Sequence, residues 1–130
     1  MSCMILSRAE TSATLITVTG ELDAAYVPAF ATTLAAADEH LPVILDLVHA
    51  TFCSAAAAGL IHTAHHHRLG YQQRLILATD AYAVLLPLHL LGLDNDLDIV
   101  ATVADARTTL GLPVCPPLDN PPSTSYADQP

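Results

Sequence analysis

The chain has no lysine and no tryptophan among its 130 residues, and aromatic side chains make up only 5% of it. Positively charged residues are also scarce, since the chain has four arginines and 13 acidic residues, which give a formal net charge of −9 at pH 7. A surface of that sign repels nucleic-acid phosphates and anionic lipid head groups. We therefore expect no nucleic-acid or membrane-surface binding, and a core built from Leu, Ile, Val and Ala.

Long apolar runs are missing as well. No stretch approaches the roughly 18 to 20 residues that span a bilayer, and residues 1–11 lack the basic and apolar segments of an export signal. The three cysteines, Cys3, Cys53 and Cys115, show no paired spacing of a zinc site or a disulfide framework. This pattern predicts a cytoplasmic protein with reduced thiols, and pairing of two cysteines as a redox switch is the alternative.

Alternating strand and helix patterns predict an α/β fold with helices packed on a mixed, mostly parallel sheet of about five strands. The first two strands, at residues 4–7 and 12–19, are expected to pair as a hairpin, with Gly20 closing the second. Further strands are predicted at residues 41–47, 74–79 and 97–102. About four helices are predicted at residues 24–39, 55–69, 81–91 and 103–110, the first three capped by Asp23, Ser54 and Asp80. Pro87 is expected to kink the third helix or to end its first half. Residues 1–112 form the predicted domain, and the Pro-rich residues 113–130 form a predicted disordered tail.

Three segments resemble one known family. They are TVTGELD (residues 17–23), VILDLVHATF (residues 43–52) and RLILA followed by LLGLDNDLDIV (residues 74–78 and 90–100). In this order they are similar to the STAS family, and within it to the bacterial anti-sigma factor antagonists. The resemblance covers roughly residues 4–111 and implies a STAS-like (SpoIIAA-like) fold. It also implies that the chain binds a kinase-like anti-sigma factor and so releases a sigma factor, as a monomer or weak homodimer. The alternative is a STAS accessory subunit of a transporter or a stress-sensing complex.

The resemblance also locates a site. In phospho-regulated members of the family, Asp-Ser-Ser-Gly follows the central strand and its first Ser is phosphorylated. The corresponding segment here is Ser54, Ala55, Ala56 and Ala57, so the usual acceptor position, Ala55, has lost its hydroxyl. We expect Ser54 to be a helix cap, with a displaced phosphoacceptor as the alternative. The implied partner-binding residues are Glu21, Asp23, Ser54, Ala55 and Ala56.

The remaining polar cluster is a run of histidines, His62 and His65 to His67. His62 and His66 lie one helical turn apart and could share an ion, but no Cys, Asp or Glu lies close by in the sequence. We therefore predict a solvated helix face without metal, and zinc or nickel bound through His62 and His66 is the alternative. Gly-rich phosphate loops, nucleophile elbows and catalytic Cys/His signatures are missing from the sequence. The chain is predicted not to be an enzyme and to need no cofactor.

Overall fold

The computed structural model describes residues 3–112. Its elements follow in the order β1 (Cys3–Ala9), β2 (Thr14–Leu22), α1 (Val27–Ala36), β3 (Val43–Asp46), β4 (Ala50–Cys53), α2 (Ala55–Leu69), β5 (Leu75–Ala78), α3 (Tyr82–Leu90), β6 (Asp98–Val100) and α4 (Val103–Leu110). Short 3-10 turns at Ala24–Tyr26 and Asp94–Asp96 precede α1 and β6. The mixed α/β architecture is confirmed. The predicted tail at residues 113–130 lies outside the described residues. Among the described helices, none is long and apolar enough to cross a membrane.

The sheet has the strand order β1-β2-β3-β5-β6, and β4 also pairs with β2. Strands β1 and β2 form the predicted antiparallel hairpin. The pairs β2–β3, β2–β4, β3–β5 and β5–β6 are all parallel. Parallel neighbours need crossover connections, which α1, α2 and α3 supply between successive strands. The sheet is therefore mixed and mostly parallel, as predicted.

Two apolar clusters bury the two faces of the sheet. The larger cluster joins Val43 and Leu45 of β3 to side chains of α1, α2 and α3. The smaller cluster joins Ile44 of β3 to Ile76 and Ala106, the latter from α4. Because successive residues of a strand point to opposite faces, β3 is apolar at every position that lies between these two layers. This arrangement explains the uninterrupted apolar run that predicted a central strand.

Strand β2 runs further than predicted. The prediction that Gly20 ends the strand is wrong, because β2 continues to Leu22 and pairs with β4 there. Gly20 has a φ of 95°, and the register shifts between Gly20 and Glu21. A glycine accepts this conformation without strain, so the strand bulges and continues. Strand β4, four residues long, is too short to show a periodicity and was not predicted.

Several helix boundaries also differ from the prediction. A 3-10 turn stands where the first turn of a helix at residues 24–39 was expected, and α1 ends at Ala36 because Ala37 is extended. The prediction that Asp80 caps α3 is wrong, because the N-cap is Ala81 and no side chain caps this helix. The helix continues past Pro87 to Leu90, close to the predicted end at Leu91, so of the two predicted effects of this proline an end to the first half of the helix does not occur.

A buried arginine joins α2 to the loop between α1 and β3. Arg68 is 3% exposed, and its guanidinium donates hydrogen bonds to the carbonyl oxygens of Leu41 at 2.7 Å, Asp38 at 2.8 Å and Ala37 at 3.3 Å. These carbonyls follow the end of α1, where no helical N–H is available to them. Arg68 therefore fixes the C-terminal part of α2 against the end of α1.

Candidate partner-binding surface

The segments that the sequence implicated lie side by side. Strands β2 and β4 pair Glu21 with Phe52 and Leu22 with Cys53. Immediately after β4, the Ser54 N–H donates a hydrogen bond to the Leu22 carbonyl at 3.0 Å. The end of β2 and the beginning of α2 are thus joined by backbone hydrogen bonds. We define the candidate surface as Glu21, Asp23, Phe52, Ser54, Ala55 and Ala56.

Ser54 is the N-cap of α2, as predicted. Its backbone is extended, its Oγ accepts a hydrogen bond from the Ala57 N–H at 3.1 Å, and its carbonyl accepts one from the Ala58 N–H at 2.9 Å. The first turn of α2 contains no acidic side chain. The Ser54 hydroxyl is therefore the side-chain acceptor at the positive end of this helix dipole.

The alanines after Ser54 divide between surface and core. Ala55 and Ala56 are exposed, whereas Ala57 and Ala58 are fully buried in the larger apolar cluster. The methyl group at position 55 thus faces solvent at the first turn of α2, where a serine hydroxyl would be accessible to a kinase. A methyl group cannot form a phosphate ester, so position 55 offers no acceptor.

Asp23 caps the 3-10 turn that precedes α1, since its Oδ1 accepts a hydrogen bond from the Ala25 N–H at 3.0 Å. The predicted cap is confirmed, although it serves this short turn and not a helix that begins at Ala24. Glu21 and Asp23 are both partly exposed, and their carboxylates form an acidic margin beside the start of α2. A capping role and a charged contact with a partner are compatible at Asp23.

Phe52 belongs to the candidate surface although sequence reasoning missed it. It lies opposite Glu21 in the β2–β4 pair, and the residue is 43% exposed in a chain with few aromatics. Exposed aromatic side chains are enriched at protein interfaces. Strand β4 was not predicted from the sequence, and without that strand there is no basis for predicting whether the Phe52 side chain is exposed.

The structure also bears on the cysteine alternative. Cys3 pairs with Gly20 across one edge of β2, and Cys53 pairs with Leu22 across the other edge. Two strand spacings of about 4.8 Å separate their backbones, which exceeds the roughly 7 Å between Cα atoms that a disulfide tolerates. Burial also raises the pKa of the Cys53 thiol to about 11. A Cys3–Cys53 switch is therefore excluded by the fold, and Cys115 lies outside the described residues.

The histidines of α2 divide between two faces. His62 and His66 lie on the outer face, as predicted, whereas His65 is 4% exposed and points inward. Burial holds the pKa of His65 below its usual value, and its Nδ1 has no hydrogen-bond partner within residues 3–112. Because His65, His66 and His67 are consecutive and of one residue type, the sequence did not indicate that His65 is buried and the other two are exposed.

Comparisons with known proteins agree on the fold. The family model described as "Mlab, STAS domain" matches residues 5–102. Among solved structures, an anti-sigma factor antagonist from Mycobacterium paratuberculosis superposes with a TM-score of 0.75 at 22% identity, over 85% of this chain and 95% of that one. No curated protein sequence matches significantly.

Two further structures extend this similarity. The unphosphorylated anti-sigma factor antagonist SpoIIAA has a TM-score of 0.65 at 16% identity, over 84% of this chain and 98% of its own. An anti-sigma-factor antagonist (STAS) domain protein from Planctomyces limnophilus has a TM-score of 0.65 at 14% identity, over 82% and 97%. At these identities, the likeness shows that the fold is shared.

Proposed function

Because the chain belongs to the STAS domain family, we propose that it is a protein-binding module that acts as an anti-sigma factor antagonist. It captures a kinase-like anti-sigma factor in the cytoplasm and thereby frees a sigma factor. The observation that carries the proposal is the exposed beginning of α2. There Ser54, Ala55 and Ala56, which resemble the family's phosphorylated segment, lie beside the acidic end of β2.

The proposed contact combines an apolar centre with an acidic margin. Phe52 and the methyl groups of Ala55 and Ala56 supply exposed apolar area, and Glu21 and Asp23 supply negative charge next to it. Interfaces commonly have this arrangement, in which apolar contacts supply most of the affinity and the charged rim selects the partner. The chain acts as a monomer or weak homodimer, with no catalytic activity and no cofactor of its own in this role.

The proposed binding is not controlled by the family's usual phosphorylation. Phosphate at position 55 would place about −1.5 to −2 charge at the beginning of α2, in the middle of the contact. Ala55 cannot accept it, and the Ser54 hydroxyl is engaged in capping the helix. The anti-sigma factor therefore stays bound whether or not ATP is present.

The test is affinity capture of the tagged protein from its own host, with and without ATP, followed by mass spectrometry of the partners and of the peptide that contains Ser54. We expect a kinase-like anti-sigma factor in both conditions and an unmodified Ser54. The Ala55→Ser variant should regain ATP-dependent release. ATP-dependent release of the parent with phosphate on Ser54 would contradict the unswitched mechanism.

A charge at position 55 provides a sharper variant. Ala55→Asp should abolish capture while leaving the fold intact, because a carboxylate at a helix N-terminus stabilises the helix by about 0.3–1 kcal/mol. The matched control is Ala104→Asp, since Ala104 is also an exposed alanine in the first turn of a helix, α4, on the other face of the sheet. We expect Ala104→Asp to retain capture. Equal capture by both variants would show that the beginning of α2 is not part of the contact with the partner.

A second candidate function remains, because the matching family model is described as "Mlab, STAS domain" and not as an anti-sigma factor antagonist. In this alternative, the chain is an accessory subunit of a transporter or of a stress-sensing complex. Recovery of a membrane complex or a large stress assembly in place of a soluble kinase-like protein would favour it. The fold assignment is the same for both candidates.

A further inference from the structure

The outer face of α2 holds a cluster that the sequence did not reveal. The turn between α3 and β6 brings Asp96 next to His62, 34 residues away along the chain, with His62 Nε2 and Asp96 Oδ2 at 3.2 Å. His66 Nε2 lies 3.1 Å from His62 Nε2 and 3.9 Å from the same Asp96 oxygen. His62 and His66 have no acidic neighbour close by along the chain, and the fold supplies one in Asp96.

The three atoms form a triangle of the right size to surround one ion. A point equidistant from them lies about 2.0 Å from each, which matches the distances of Zn²⁺ to histidine nitrogen and carboxylate oxygen in proteins. The Nε2 atoms are the near edges of the two imidazole rings, because the ring centroids are 4.3 Å apart whereas the Nε2 atoms are 3.1 Å apart.

Two separate two-centre hydrogen bonds do not satisfy both contacts of His62 Nε2. His62 Nε2 contacts both the His66 nitrogen and the Asp96 oxygen, yet in a neutral imidazole it carries either one proton or one lone pair. If it donates its proton to Asp96, it has no lone pair for His66; if it accepts from His66, it has no proton for the carboxylate. A cation at the centre receives a lone pair from all three atoms at once.

The cluster is held by elements that are themselves fixed. His62 and His66 are spaced i, i+4 on one continuous helix, a spacing that places two imidazoles on a shared ion. Asp96 belongs to the 3-10 turn Asp94–Asp96, whose Asp94 carboxylate accepts a hydrogen bond from His89 of α3 at 2.9 Å. The ring of buried His65 also packs edge-on against His66 at 5.7 Å. Such support reduces the ordering needed when an ion binds.

We propose that His62, His66 and Asp96 form a binding site for one divalent transition-metal ion, Zn²⁺ in particular. Two imidazoles and one carboxylate suit zinc and its first-row neighbours better than magnesium or calcium, which prefer all-oxygen ligands. Three protein ligands leave at least one coordination position to water, and the exposed side chains of His66 and Asp96 leave that position open to solvent. The chain's negative charge adds a favourable long-range attraction for cations.

This site is separate from the candidate surface, although it lies on the same helix. His62 follows Ala55 by seven residues, which is two helical turns or about 10 Å along α2. The zinc proposal therefore does not depend on which partner the chain binds. Loss of zinc binding and loss of anti-sigma factor capture are measured on different residues and in different assays.

The test is a zinc titration of the tag-free chain in competition with a chromophoric indicator. We expect one Zn²⁺ per chain, and at least about a 100-fold loss of affinity in His62→Ala and in His66→Ala, because each removes a direct ligand. Asp96→Asn should cost about tenfold or more, since the amide lacks the charge of the carboxylate. Cobalt in place of zinc should give a visible absorption band in the parent that is lost in His62→Ala and in His66→Ala.

A matched control lies within one turn of the cluster. His67 contacts Glu39 and no atom of the proposed site, so His67→Ala should bind zinc as the parent does. The proposal is overturned if the parent binds no zinc at micromolar free ion. It is also overturned if the double variant His62→Ala/His66→Ala still binds one zinc, or if Asp96→Asn binds as tightly as the parent. Urea unfolding of each variant verifies that the fold is retained.

Discussion

Replacing Ser54 by alanine isolates the hydrogen bond that begins α2. The Ser54 hydroxyl accepts from the Ala57 N–H at 3.1 Å, and the first turn of α2 has no acidic side chain that could replace it. Loss of a serine N-cap costs about 0.5–2 kcal/mol in general. Because Ala57 is fully buried, water replaces the lost acceptor poorly, so we expect about 1.5 kcal/mol, in the upper part of that range.

Urea unfolding followed by circular dichroism measures this change in the free energy of unfolding. We expect a lower midpoint with an unchanged m-value, and a thermal midpoint lower by roughly 5 °C. Ser54→Asp should be as stable as the parent, because a carboxylate also accepts the Ala57 N–H and interacts favourably with the helix dipole. The exposed Ser7 of β1 provides the control, and Ser7→Ala should change stability by less than about 0.5 kcal/mol. If Ser54→Ala were as stable as the parent, the capping role argued here would be refuted, and the case against Ser54 as a phosphoacceptor would weaken.

Two other predictions concern buried charge. Arg68→Met should lower the free energy of unfolding by about 3 kcal/mol, because it removes the guanidinium from three carbonyls and leaves those of Ala37 and Leu41 without their donor; a loss below about 1 kcal/mol in urea unfolding would contradict this account. Glu10 receives hydrogen bonds from Arg107 at 2.8 and 3.0 Å, and this contact lowers the pKa of its carboxyl. The resulting stabilisation is present above the unfolded pKa of about 4.3 and is lost as the pH falls through the lower folded pKa. Glu10→Gln should therefore be less stable than the parent by about 1–2 kcal/mol at pH 7, and the difference should shrink towards pH 3; a difference independent of pH would count against the ion pair.

Much of the fold was predictable because local sequence and tertiary environment agree. The apolar run of β3 is the direct consequence of burial on both faces, and Ser54 caps α2 through a contact within its own turn. Helix α4 has the bounds that were predicted, with its C-terminal Gly111 in the left-handed conformation. In each case the signal lies within a few consecutive residues.

The features that were missed depend on distant parts of the chain. Strand β4 forms by pairing with the part of β2 that continues past Gly20. Its own four residues are too few to show the periodicity of a strand. Arg68 is buried where its guanidinium donates hydrogen bonds to backbone carbonyls about 30 residues earlier in the chain. Asp96 meets His62 only after α3 and its following turn have packed against α2. Hydropathy and spacing do not encode such pairings, because they arise from packing.

The backbone hydrogen bonds that join β2 to the beginning of α2 have a consequence for the kinetics of association. Glu21 and Phe52 are paired across two strands, and Ser54 is bonded to Leu22, so the candidate surface already has one conformation before any partner arrives. A surface of this kind loses little conformational entropy on binding. Encounter should then proceed without a slow rearrangement on this side, and differences in affinity among partners should appear mainly in how fast they leave.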